Sequence, residues 1–168
     1  ECHAAFTSAK FVHGPLSAGD CASCHADDAG GHRYPLKREA NALCTFCHLI
    51  EGRRSRPHRA VAEGGCLACH RPHVSEAKFL LAADSVEALC EHCHVVEKLR
   101  RAHRPFADGE CTACHDPHES NAPNLLRGGD GPQHCFLCHA ETRQAVMNAP
   151  HVHPPAAESC AACHSPHS

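Results

Sequence analysis

The sequence predicts mostly irregular coil with short α-helices and little or no β-sheet, wrapped around something other than its own side chains. Three observations lead there. Leu, Ile, Val and Phe together number only 27 of 168 residues, because 15 Cys and 27 Ala inflate the 42% hydrophobic fraction. That share lies below the roughly 20% under which a chain is expected to stay disordered. Burial at about 25 cal/mol per Å² does not offset ordering entropy when so little large apolar surface exists. Short helix-like segments alternate with Pro/Gly-rich stretches. The 15 Cys and 19 His fall in a fixed register, with no Trp and one Met.

In chain order, "KREANALCTFCHLIEG" (37–52) reads as the first clear helix. "DSVEALCEHCHVVEKLRRAH" (84–103) reads as the next, with Asp84 able to cap, Glu87 completing a capping box and basic residues in the last turns. "PQHCFLCHAETRQAVMN" (132–148) is the third. Between them "RPHRAVAEGG" (56–65), "APNLLRGGDGP" (122–132) and "HVHPPAAES" (151–159) read as coil. Asp27, Asp28 and the "EGRRSRPHR" run read as solvated surface.

Fourteen cysteines occupy seven complete Cys-x-x-Cys-His motifs: Cys21/Cys24/His25, Cys44/Cys47/His48, Cys66/Cys69/His70, Cys90/Cys93/His94, Cys111/Cys114/His115, Cys135/Cys138/His139 and Cys160/Cys163/His164. This is the attachment signature of c-type haem: two thiols meet the vinyl groups of one porphyrin edge and the adjacent imidazole reaches the iron. Structural zinc also uses Cys-x-x-Cys pairs, but it gives no reason for a His directly after every second Cys, and seven motifs leave one unpaired. A disulfide scaffold needs no His. The missing core is therefore expected to be a stacked chain of c-type haems, and removing them should unfold the chain.

The motifs repeat in pairs about every 45 residues. One kind continues as Cys-His-x-Pro-His, in "GGCLACHRPH", "GECTACHDPH" and "ESCAACHSPH"; "GDCASCHADDAGGH" belongs to it, with an insertion expected to move its second His to His32. The other kind is "NALCTFCH", "EALCEHCH" and "PQHCFLCH". Residues 1–168 are expected to form a single array of these two-haem repeats. Stepping back one period makes Cys2-His3 the tail of an eighth motif, so the sequence is expected to begin inside it. Eight haems are expected, seven on complete motifs.

Eight histidines belong to motifs, counting His3, and eleven remain. His13, His58 and His103 each lie eight residues before the next cysteine. In "APHVHPP" the matching position is ambiguous, His151 lying nine and His153 seven before Cys160. His32, His73, His118 and His167 follow the same motif kind. These supply eight sixth ligands for eight irons. His58 lies far enough from His70 to loop over its porphyrin; His73 is expected to serve a neighbouring haem, and His167 the Cys135–Cys138 haem or a haem in another subunit. His92 and His134 are expected to face solvent or pack on porphyrin edges, and Met147 to pack rather than ligate. All-His ligation favours low-potential centres.

The alternation of "G-x-C-x-x-C-H-x-P-H" with "L-C-x-x-C-H" over essentially the whole chain resembles the doubled-CxxCH modules of multihaem c-type cytochromes, and is similar to the extracellular cytochrome filaments of metal-respiring bacteria and archaea. The resemblance implies bis-His c-haems in a closely spaced, exported chain.

Irons with both axial positions filled change redox state with little rearrangement but bind no substrate. The expected role is an electron conduit and not an enzyme, at the cell surface or outside the cell, with the periplasm as the alternative. A multihaem reductase needs an open iron; a periplasmic shuttle differs from a filament only in assembly. Expected partners are copies of the chain, other redox proteins and extracellular acceptors. The formal charge of −3, made more negative by propionates, disfavours nucleic acid. No stretch approaches the roughly 20 apolar residues of a membrane span.

Overall fold

The computed structural model describes residues 6, 8–27, 30–31, 33–49, 54–63, 65–97 and 100–168. Cys2, His3, His32 and Asp28 lie outside the described residues. The chain is mostly coil with short helices, as its composition predicts. Its only sheets among the described residues are two antiparallel pairs of two-residue strands, Phe11–Val12 with Val74–Ser75 and Arg56–Pro57 with Glu119–Ser120. No helix is long and apolar enough to cross a membrane among the described residues.

The chain divides into two compact units, Glu1–Glu51 with Arg59–His94, and Gly52–His58 with Val95–Ser168. Neither shows an apolar core of its own among the described residues. There the buried hydrophobic residues are Ala77 and Ala122 alone, and no side chain is less than 2% exposed. Leu, Ile, Val and Phe number only 27 in the sequence, too few to supply a core, as the sequence anticipates. Met147, expected to pack, is instead 71% exposed.

Several helices are shorter or differently placed than their sequence suggests. Among the described residues of the 84–103 stretch the helix is Val86–Glu91, and Ser85, not Asp84, is its N-cap: extended at φ −143°, ψ 163°, it accepts from Ala88 N–H at 3.0 Å. The 37–52 stretch is helical over Ala40–Thr45. The 132–148 stretch breaks into Pro132–Phe136 and Ala140–Asn148, because the Cys135–His139 turn intervenes. Conversely, the stretches read as coil contain the turns Arg59–Ala62, Pro123–Leu125 and Pro154–Glu158. These are single turns, below the length at which periodicity is legible.

The first unit holds the one-turn helices Gly14–Ser17 and Cys66–Cys69, and the second their counterparts Arg104–Ala107 and Cys111–Cys114. Gly14–Ser17 and Arg104–Ala107 each end in a left-handed glycine, Gly19 at φ 73° and Gly109 at φ 72°. Gly19 N–H reaches Leu16 O at 2.9 Å and Asp20 N–H reaches Pro15 O at 2.8 Å; Gly109 and Glu110 repeat the pattern on Phe106 and Pro105. This Schellman closure needs φ > 0 at one position, which glycine adopts without cost.

Arg54 belongs to the run expected to be plain solvated surface, yet it is structural. Its guanidinium meets the Asp116 carboxylate at 2.9 Å and donates to Glu119 O at 3.0 Å. Asp116 also accepts from the amides of His118 at 3.1 Å and Glu119 at 3.4 Å. Burial opposes its charge, but those amides, Arg127 and Arg54 together hold the carboxyl below its ordinary range.

Candidate haem-attachment site

All seven complete motifs fold the same way. The His amide donates to the first Cys carbonyl, four residues back, at 2.9–3.0 Å: His25 to Cys21, His48 to Cys44, His70 to Cys66, His94 to Cys90, His115 to Cys111, His139 to Cys135 and His164 to Cys160. One helical turn thus carries both thiols and the imidazole at neighbouring positions.

The second cysteine of each motif is held by the same turn. Cys24 N–H donates to Cys21 O at 3.3 Å, Cys47 to Cys44 O at 3.2 Å and Cys163 to Cys160 O at 3.2 Å. Cys47 and Cys163 are exposed and Cys24 is half-buried, and all three are free thiols. The fourteen described cysteines are alike in this: none is tied into a disulfide, and all lie at exposed or half-buried positions. Among the described residues the thiols at Cys24, Cys47 and Cys163 are thus bound to no other cysteine and open at least in part to the surface. That is the condition expected of a group that bonds a porphyrin edge, and not of one that cross-links the chain.

Among the described residues, motif and free histidines face each other in pairs at a common separation. His13 and His48 have ring centroids 6.0 Å apart, His25 and His73 6.0 Å, His103 and His139 5.9 Å, and His115 and His167 6.2 Å. Each pair joins one motif histidine to one free histidine. Two imidazoles on opposite sides of one metal, with bonds of about 2 Å and about 1.1 Å from nitrogen to ring centre, stand about 6 Å apart. Meanwhile no group of three or more His, Cys, Asp or Glu converges as a protein-only metal site among the described residues. The donor set therefore fits a c-type haem, with two thiols for covalent attachment and two opposed imidazoles, and does not fit tetrahedral zinc.

The pairing differs from simple looping. His13 and His103 face not the motif directly after them but the one after that. His73 lies opposite His25, one repeat back. His167 lies opposite His115, not beside the Cys135–Cys138 motif. Backbone contacts set this arrangement: His13 N–H donates to His73 O at 2.9 Å, His58 to His118 O at 2.7 Å and His103 to His167 O at 3.4 Å. The two strand pairs lie immediately beside the first two of these contacts.

The free histidines before each motif hold one structural post. His13, His103 and His153 are the N-caps of the turns that follow them, extended at φ −62°, −57° and −64°; His58 directly precedes Arg59–Ala62. His153, not His151, therefore occupies the position of His13 and His103. Its linker has no left-handed glycine, so its count to the cysteine is seven instead of eight. A sequence signal was present: Pro stands two residues after His13, His103 and His153, where it starts a helix well.

The loop expected to carry an insertion does not have one. His25, His70 and His115 form β-bridges with Leu36, Leu81 and Leu126, spanning equal lengths in all three repeats. Position 28 is an Asp where the other repeats have His73 and His118.

Neighbouring motifs converge. Burial and the nearby Cys93 push the Cys69 thiol up, and burial and Cys138 do the same to Cys114. Burial and a hydrogen bond to Cys160 raise Cys135. Asn41 links two motifs, its Oδ1 meeting Cys66 Sγ at 2.8 Å and its Nδ2 donating to Val61 O at 3.3 Å. Burial, then the adjacent His25 and His13, keep His73 below the ordinary imidazole range, favouring the neutral ring that ligates. Phe106 packs on His167 at 4.8 Å and Phe6 on His73 at 5.1 Å, fixing those rings.

Neither surplus histidine ligates by position. His92 is exposed at the C-cap of Val86–Glu91, whereas His134 Nδ1 bonds the Arg127 carbonyl and so ties down the Gly128–Gly129 loop. The roles of His134 and Asn41 carry no sequence signal, because each depends on a distant backbone carbonyl or thiol.

No curated protein matches the chain. The family model for the doubled CXXCH motif matches residues 13–49, 58–99 and 103–144. Those stretches span most of the length and hold six of the seven complete motifs, so the chain belongs to the doubled CXXCH motif family and is a multihaem c-type cytochrome, an electron carrier by its construction.

Proposed function

We propose that the chain conducts electrons along a closely spaced row of bis-His c-type haems, as a subunit of an extracellular cytochrome filament for respiration on acceptors outside the cell. The carrying observation is the set of four opposed imidazole pairs at 5.9–6.2 Å. When bound, the haem supplies a one-electron couple. The chain's part would be to attach it through the motif cysteines, Cys24, Cys47 and Cys163 among them, and to hold its iron between paired imidazoles: His48 with His13, His25 with His73, His139 with His103 and His115 with His167. Cys2, His3, His58, His70, His94, His118, His153 and His164 extend the proposed set by register, and His32, out of register with His73 and His118, is taken as the remaining ligand, for eight haems, with His151 set aside. Filled axial positions leave no iron open to substrate, which favours a conduit over a reductase. Convergence of successive motifs at Cys69 and Cys93, and at Cys114 and Cys138, supports short hops. Copies of the chain, other redox proteins and extracellular acceptors are the proposed partners.

Electron microscopy of the native, undenatured protein tests the assembly. Continuous filaments whose repeat accommodates eight haems are expected. Discrete particles would sink the filament reading and leave a soluble carrier.

A further inference from the structure

The two motif kinds treat their histidines differently. In three motifs of the first kind the imidazole Nδ1 bonds a backbone carbonyl nine residues on: His25 to Tyr34 O at 2.6 Å, His70 to Phe79 O at 2.9 Å and His115 to Asn124 O at 2.7 Å. This leaves Nε2 as the nitrogen facing the opposed imidazole. In the second kind His48 and His139 are exposed and their rings have no hydrogen bond among the described residues.

The accepting residues are strained for that contact. Tyr34, Phe79 and Asn124 have φ of 44°, 62° and 53°, and Leu80 and Leu125 follow at 56° each, although none is glycine. Side-chain packing does not explain the conformation, since Phe79 is 70% exposed and Asn124 is exposed too. In two repeats a buried hydroxyl pins the loop. Ser75 Oγ donates to Leu81 O at 2.6 Å and accepts from Ala77 N–H at 3.0 Å; Ser120 does the same with Leu126 and Ala122. Three different loop sequences thus deliver one contact.

We propose that Phe79 and Asn124, pinned by Ser75 and Ser120, are positioning residues whose carbonyls make the haems on His70 and His115, with that on His25, a lower-potential class than those on His48 and His139. A fixed acceptor on Nδ1 makes an imidazole more electron-donating, which favours the ferric state. This rests on the bis-His c-haem reading above.

The test is spectroelectrochemical titration of the haem-loaded protein, with haem content and low-spin electron paramagnetic resonance recorded on each sample. Ser75→Ala with Ser120→Ala should lower the ferric-to-ferrous ratio of the haems on His70 and His115 threefold to tenfold at fixed potential, about 28 to 59 mV for a one-electron couple, leaving the haem on His25 and the upper class in place. The exposed Asn124 offers a second route that opens no cavity. Asn124→Gly keeps the left-handed turn and should titrate as wild type, whereas Asn124→Val disfavours it and should raise one haem. If Asn124→Val and the serine variant retain their haems and superimpose on wild type, the positioning idea fails while the haem reading stands. Native protein without covalent haem would instead overturn both.

Discussion

Replacing His103 with Ala is the sharpest probe of which histidine serves which iron. His103 lies eight residues before Cys111, so looping along the chain assigns it to the haem on His115. In the structure its ring faces His139 at 5.9 Å with planes 25° apart. Two metal–nitrogen bonds of about 2 Å and two ring offsets of about 1.1 Å require about 6 Å, so one iron fits between them. His115 faces His167 at 6.2 Å. The expected result of His103→Ala is one haem equivalent turned from low spin to high spin and newly able to bind carbon monoxide. Removing the attachment cysteines of that haem, with Cys135→Ala and Cys138→Ala added, should abolish the new signal. Removing Cys111 and Cys114 instead should leave it. Electron paramagnetic resonance and carbon monoxide titration read both. A high-spin signal that survives loss of Cys135 and Cys138 but vanishes with Cys111 and Cys114 would refute the pairing.

Three further outcomes follow from the same geometry. A Cβ on Gly65 would stand 2.6 Å from Ala60 O, whereas one on Gly14 would meet nothing within 4 Å; Gly65→Ala should cost about 1–3 kcal/mol and Gly14→Ala almost nothing, as read by denaturant midpoints of the haem-loaded protein. His153→Ala should expose one iron to carbon monoxide in the native protein and His151→Ala none, and the reverse would show that the N-cap position does not define the ligand. With Ala77 and Ala122 as the only buried hydrophobics among the described residues, chain matured without haem should show no cooperative thermal transition by circular dichroism; a sharp one would mean that the polypeptide folds alone.

The attachment chemistry was legible residue by residue, because Cys-x-x-Cys-His closes within one turn and needs nothing distant. So were the repeat, its two motif kinds and the poverty of the apolar core. Helix boundaries were legible only in part. Ser85 caps where Asp84 also could, and the choice depends on which of two adjacent residues becomes extended. The turn Pro154–Glu158 hid in a proline-rich stretch, since one turn carries no periodicity. The histidines of "CHADDAGGHRYPL" and "CHRPHVSEAKFLL" suggest loops of unequal length, whereas the bridges to Leu36 and Leu81 make them equal.

The sequence by itself determined the Cys-x-x-Cys-His motifs that mark c-type haem attachment, the free histidines repeating between them, and a composition too poor in large apolar residues to bury a core unaided, because these follow from local spacing and composition. Only the tertiary structure decided which histidines oppose each other. His13 meets His48, and His25 meets His73, through a short ladder joining Phe11–Val12 to Val74–Ser75. That register depends on backbone hydrogen bonds between residues far apart in the chain, which no local pattern encodes.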